Sequence, residues 1–141
     1  MHLHHLNLLA ILVAAIAAMV VGFIWYSPLL FAKPWTREMG YDPDDKESMD
    51  KMKKSAGPAY MGSTFASLVM AFTLALFFEA LHTQDLHHGL AITFHAWLGF
   101  VAMVQLTDAL FTKKSMKLFA INTGYQLVSM LAMGVILILW R

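Results

Sequence analysis

The chain has 141 residues, no cysteine, 59% hydrophobic residues and 13% charged ones, about half the ~25% charge of a soluble domain. Ten basic and nine acidic residues are present, and twelve of these charges fall between Lys33 and Lys54, leaving four uncharged runs: Met1–Ala32, Ser55–Phe78, Leu86–Thr107 and Leu118–Trp140. A spanning helix needs roughly 20 apolar residues, so the pattern excludes a soluble globular domain, a disordered tail and a nucleic-acid binder, and it predicts a single all-α membrane domain.

The first span is expected over about 6–31. Its start resembles a secretory leader, with Ala15-Ile16-Ala17 as a small-x-small site. However, Lys and Arg are absent before the apolar run, and the run continues to Ile24, so a retained helix is expected. Ser27-Pro28 ends or bends it. Trp35 and Tyr41 lie among Lys33 and Arg37, as suits a membrane–water interface. A short polar helix is predicted next, with Asp42 as N-cap and Pro43 at its first position. It carries the i,i+4 pairs Glu47–Lys51 and Asp50–Lys54 and ends at Gly57-Pro58. The remaining spans are expected over about 59–82, 87–111 and 116–140. The tight turns between them imply antiparallel neighbours and an up-down-up-down bundle.

Nine of the ten basic residues lie in loops 32–58 and 112–115 or within two residues of the latter; only Arg141 lies at the opposite side. The positive-inside rule places both loops in the cytoplasm and both termini outside. Small residues recur every fourth position at Ala10, Ala14, Ala18 and Gly22, and again at Ser63, Ser67, Ala71 and Ala75. Such faces allow close backbone approach, either between two copies or within one subunit.

Two groups of residues carry chemistry. Six of the seven histidines fall at the outer side, His2, His4, His5, His82, His87 and His88, with His95 about two turns inside the third span. Glu79, His82, His87, His88 and His95 form the candidate metal set, and a divalent zinc, copper or nickel ion is the cofactor that such ligands would hold. Their spacing matches no defined site. At the inner side, reflecting the last two spans about their turn brings Gln105 level with Asn122. The predicted inner cluster is Trp25, Tyr26, Ser27, Gln105, Asp108, Asn122, Tyr125 and Gln126. It serves either as an interhelical network that fixes register or as a site for a proton, cation or polar solute. Phosphate-loop, nucleophile-elbow and paired-carboxylate motifs are absent.

Trp25-Tyr26-Ser27-Pro28-Leu29-Leu30-Phe31 with Lys33 and Trp35, Thr107-Asp108-Ala109-Leu110-Phe111, Met116-Lys117-Leu118-Phe119 and Ile121-Asn122-Thr123-Gly124-Tyr125 resemble, in order, the signatures of the bacterial family called domain of unknown function 1761 (DUF1761). Thr107 and Met116 stand where that family often has Asn and Trp. The resemblance implies a small multi-span membrane protein and brings no activity. The expectation is a non-catalytic oligomeric or accessory component of the bacterial inner membrane, in contact with lipid and with itself or another membrane protein. The alternatives are a dimeric solute or ion transporter around the inner cluster and a metal-binding or redox subunit.

Overall fold

The computed structural model describes residues 5–140. It is all helical: α1 (Leu8–Trp25), α2 (Ala32–Glu38), α3 (Lys46–Ala80), α4 (Leu86–Ala96), a π-helical segment (Trp97–Ala102), α5 (Met103–Phe111) and α6 (Met116–Leu139). Four stretches among the described residues are long and apolar enough to cross a membrane: α1, α3, the continuous run Leu86–Phe111, and α6.

Each of these four stretches starts at a side-chain cap. Asn7, Asp45, Asp85 and Ser115 accept a hydrogen bond from a backbone N–H in the first turn of α1, α3, α4 and α6, filling donors that have no partner within the helix. Helix α1 stops at Trp25 because Pro28 disfavours helical geometry at Ser27. Helix α2 ends at Glu38, and Gly40 just beyond it turns the chain with a φ of 87° that suits a residue without a Cβ.

The polar loop helix does not end at Gly57-Pro58. It is continuous with the second span as one 35-residue helix with Pro58 inside it. The residue before a proline normally clashes through its Cβ, and Gly57 has none; the Lys54 carbonyl, which Pro58 leaves without its helical donor, lies at an exposed residue. The N-cap is Asp45 rather than Asp42, which instead accepts from the Asp44 N–H at 2.9 Å in a side-chain turn. The Glu47–Lys51 pair forms at 3.6 Å, and Asp50 and Lys54 do not pair.

The helices pack in the order α3–α1–α6–α4. Three antiparallel seams are fixed by close contacts. Met19 meets Ser67 across α1 and α3 (Oγ to Sδ, 3.7 Å). Asn7 reaches the Trp140 carbonyl, and Trp25 the Ile121 carbonyl, at the two ends of α1 and α6. A Cβ added at Gly89 or Gly134 would lie 2.6 Å from Ile138 or 2.8 Å from Thr93, so glycine sets the approach of α4 to α6. The core is Ala10, Ile11, Ala14, Ala15 and Ala18 of α1 against Ala71, Leu74 and Phe78 of α3 and Met133, Leu137 and Ile138 of α6.

The small-residue face is thereby assigned. Ala10, Ala14, Ala18, Ser67 and Ala71 are buried inside the subunit, Ala75 packs at the edge of the core and Gly22 faces Tyr125, whereas Ser63 is exposed. The short turn after α3 does not make α3 and α4 packed neighbours. Each has a better-fitting small-residue partner, α1 and α6 respectively, and bulky Phe77, Leu81 and Phe100 line an open groove between them. Among the four apolar windows, the one in Leu86–Phe111 is the least buried, 17% against 44% for α6. The last helix is therefore the centre of the bundle and the third span its periphery.

Candidate functional site

The end of the bundle beside the lysine-rich loops carries a girdle built on residues 121–125 of α6. The Trp25 indole N–H donates to the Ile121 carbonyl at 3.0 Å, and the Tyr26 hydroxyl donates to Asn122 Oδ1 at 2.8 Å. From the other side, the Trp97 indole donates to the Thr123 carbonyl at 3.0 Å. The Tyr125 hydroxyl turns back to the Ala18 carbonyl at 3.4 Å. Four of the five positions 121–125 of α6 are thus tied to α1, to the turn after it or to the third span. Buried indole and phenol groups need such partners, and supply both apolar area and a polar anchor.

Local sequence makes the grip possible. The turn after α1 returns the chain, with the Phe31 N–H on the Trp25 carbonyl and the two rings 4.9 Å apart. Helix α2 then places Trp35 edge-on to Tyr26 at 5.4 Å, while Tyr125 meets Tyr26 at 5.3 Å. Gly124 admits the Trp25 ring, since a Cβ there would lie 3.0 Å from Trp25 Cζ2. Thr123 satisfies its own hydroxyl on the Phe119 carbonyl at 2.6 Å. Trp97 opens the π-helical segment, the wider turn that π-bulges introduce, often at functional positions.

Of the eight residues predicted for the inner cluster, Trp25, Tyr26, Asn122 and Tyr125 come together. Ser27 instead bonds to the Ile24 carbonyl of its own turn at 2.6 Å. Gln105 and Gln126 are half-buried, and their side chains make no hydrogen bond among the described residues. Asp108 departs most clearly: it is half-exposed and forms an ion pair with Lys114 at 2.7 Å. Matching depth about a turn says nothing about which face of the helix a side chain occupies, and Lys113 in the left-handed conformation (φ 54°) tightens the turn that presents Lys114 to it. Trp97 and Thr123 were outside the sequence-derived cluster; the one signal for Trp97 was an indole donor inside an apolar run. Trp35 was read as an interfacial aromatic and proves to be part of the girdle.

The candidate metal set is divided between two surfaces. Glu79 lines a pocket with His5 between α1, α3 and α6. His88 and His95 line the groove between α3 and α4. His82 is in the turn after α3, with a left-handed φ of 49°, and His87 is in the first turn of α4. The His95 Nδ1–H donates to the Ala91 carbonyl of its own helix at 2.7 Å, and the carbonyl, which can only accept, fixes the proton on Nδ1. Among the described residues no three His, Asp or Glu side chains are grouped to hold a metal ion. His2 and His4 lie outside the described residues.

The two segments that meet in the girdle, Trp25–Phe31 and Ile121–Tyr125, are those whose sequence carries the family resemblance, and the match to the family extends over residues 9–138. The chain belongs to the family described as Protein of unknown function (DUF1761). Comparison with curated proteins and with solved structures gives no match. Membership therefore names no activity. Thr107–Phe111, the second segment of the resemblance, stays outside the girdle and presents exposed Thr107, Asp108, Leu110 and Phe111.

Proposed function

We propose that the chain is a non-catalytic component of a membrane assembly, set in the bacterial inner membrane with loops 32–58 and 112–115 in the cytoplasm and its third span against a second copy of itself. The observation that carries this reading is His95. It lies nine residues into the span, about 14 Å along the helix, and is exposed, hydrogen-bonded to a carbonyl of its own helix and edge-on to the adjacent Phe94 ring. Ionisable side chains at such depth face protein or a water-filled cavity rather than lipid, because hydrocarbon offers them nothing. Glu79, Asp108 and the rest of the sparse charge stand nearer the span ends. The transporter reading is weaker, since Asn122 is engaged by Tyr26 and Asp108 by Lys114.

The cysteine-free sequence suits a direct test. Gly99 faces open space on the same exposed stretch. Oxidative cross-linking of Gly99→Cys in native membranes is expected to give a covalent dimer, whereas Leu12→Cys on the exposed side of α1 is expected to stay monomeric. A monomer at Gly99, together with a monomeric mass in nanodiscs, would refute the reading.

A further inference from the structure

The groove between α3 and the third span has a volume of about 420 Å³ and is open along one side. That volume is within the range of roughly 300–1,000 Å³ typical of small-molecule sites. Phe77 and Leu81 line it from α3, and Ala91, Ile92 and Phe100 line it from the third span. Two polar side chains interrupt this apolar wall: His88, in the first turn of α4, and His95, two turns further in.

His95 uses one of its two ring nitrogens. Its Nδ1–H is held by the Ala91 carbonyl at 2.7 Å. In a neutral imidazole the second nitrogen is then an acceptor, and Nε2 has no donor among the described residues. The groove therefore presents one unused lone pair among hydrocarbon side chains. Water fits it poorly, because an ordered water needs roughly two to four polar partners. A metal ion fits it poorly too: His88 is seven residues away, about 10 Å along the helix and too far to share an ion, and no three His, Asp or Glu side chains are grouped among the described residues. The proposed second copy shields the ring but brings no donor, since the exposed neighbours on that span, Phe94, Leu98 and Phe100, are apolar.

We infer that this groove binds a phenol or hydroquinone headgroup on an apolar tail, with His95 Nε2 accepting its hydroxyl. A hydroxyl carries no charge, so it is a cheaper donor than an ammonium to bring into hydrocarbon. An aromatic head suits the walls: Phe77 and Phe100 line the groove, and Phe94 meets His95 edge-on at 5.7 Å, the kind of packing that rings favour. The open side of the groove leaves the tail in the bilayer. The inference goes beyond self-association and rests on that reading only for the placement of the third span in a membrane; Gly99, through which the second copy is proposed to pack, is not part of the groove lining.

The test uses the full chain in nanodiscs of phosphatidylglycerol, with a decyl-substituted hydroquinone kept reduced and empty discs as the reference for partitioning. Saturable retention of one hydroquinone per chain is expected. Its dimethyl ether, with the same ring and tail and no donor, is expected to bind about tenfold more weakly, as the loss of one hydrogen bond implies. His95→Phe weakens hydroquinone binding about tenfold and removes the preference over the ether, with an unchanged helical melting profile. Ala91→Phe fills the groove and abolishes binding of both, whereas Val20→Phe on the exposed side of α1 leaves it unaltered. If His95→Phe fails to fold, the comparison of hydroquinone with ether on the wild-type chain decides alone. Hydroquinone retained by a chain that stays monomeric at Gly99→Cys sustains this inference and removes self-association; a covalent Gly99→Cys dimer whose wild-type parent retains no hydroquinone does the reverse. No saturable retention over empty discs, equal affinity for hydroquinone and ether, or wild-type affinity in His95→Phe would overturn the inference.

Discussion

Replacing Gly89 by alanine probes the seam that holds the third span to the bundle. An added Cβ would sit 2.6 Å from Ile138 Cγ1 and 2.8 Å from its Cδ1, against about 3.5–4.0 Å for a relaxed carbon pair. Relief requires the helices to separate by close to 1 Å or Ile138 to leave its rotamer, and overpacking of this kind costs about 1–3 kcal/mol. Alanine also gains helix propensity of ~1 kcal/mol over glycine, so the raw change understates the clash. Gly62→Ala corrects for that gain, because a Cβ at Gly62, within α3, meets nothing within 4 Å. The expected result is that Gly89→Ala is less stable than Gly62→Ala by about 1–3 kcal/mol. Steric-trapping or denaturant titration in mixed micelles, followed by helical circular dichroism, measures the difference. Adding Ile138→Ala removes the struck atoms, so the double variant should lose less than the two single changes predict. Equal stability of Gly89→Ala and Gly62→Ala, or simple additivity with Ile138→Ala, would refute the close-approach argument.

Two further outcomes are expected. A double-mutant cycle of Tyr26→Phe and Asn122→Ala should yield a coupling of about 0.6 kcal/mol, and no more than about 1.7, as found for hydrogen bonds between membrane helices; unfolding in micelles gives the value, and zero coupling would count against the girdle bond. Spin labels at Lys51→Cys and Phe65→Cys should report a single narrow distance whose backbone component is about 21 Å, fourteen residues of unbroken helix. A broad or much shorter distribution would mean that α3 breaks at Pro58.

The existence and order of the four long helices were legible in the sequence because charge is too costly to place within a span, so its absence marks each one. The ends of the spans were less so. Gly57-Pro58 reads as a terminator from local propensity, but a Pro preceded by a residue without a Cβ is sterically milder, and the polar helix and the second span flank it without a break. The site beside the lysine-rich loops was half legible. Trp25, Tyr26 and Asn122 stood out as polar groups at a common depth, and they do meet. Asp108 shared the depth but not the face, and a linear sequence fixes face only when the helical period is constant. The π-helical turn at Trp97–Ala102 interrupts that period within the same span. Trp97 was invisible as a site residue because an indole in an apolar run reads as lipid-facing until its partner, a backbone carbonyl with no sequence signature, is known. The small-residue face identified a packing surface without saying whose: burial of Ala14 and Ala71 inside one subunit answers that.

The central position of α6 has a consequence for biogenesis. A ribosome delivers α1 and α3 first, and these can pair at once through their own small-residue seam. The third span follows with little claim on either of them, because its principal partner is the helix made after it. During synthesis Leu86–Phe111 therefore stands with Gly89, Thr93 and Trp97 unmatched until Met116–Leu139 arrives. The final hairpin closes both ends of the protein in one event: Trp25 and Trp97 take their carbonyls on its first turns, and Asn7 secures its last.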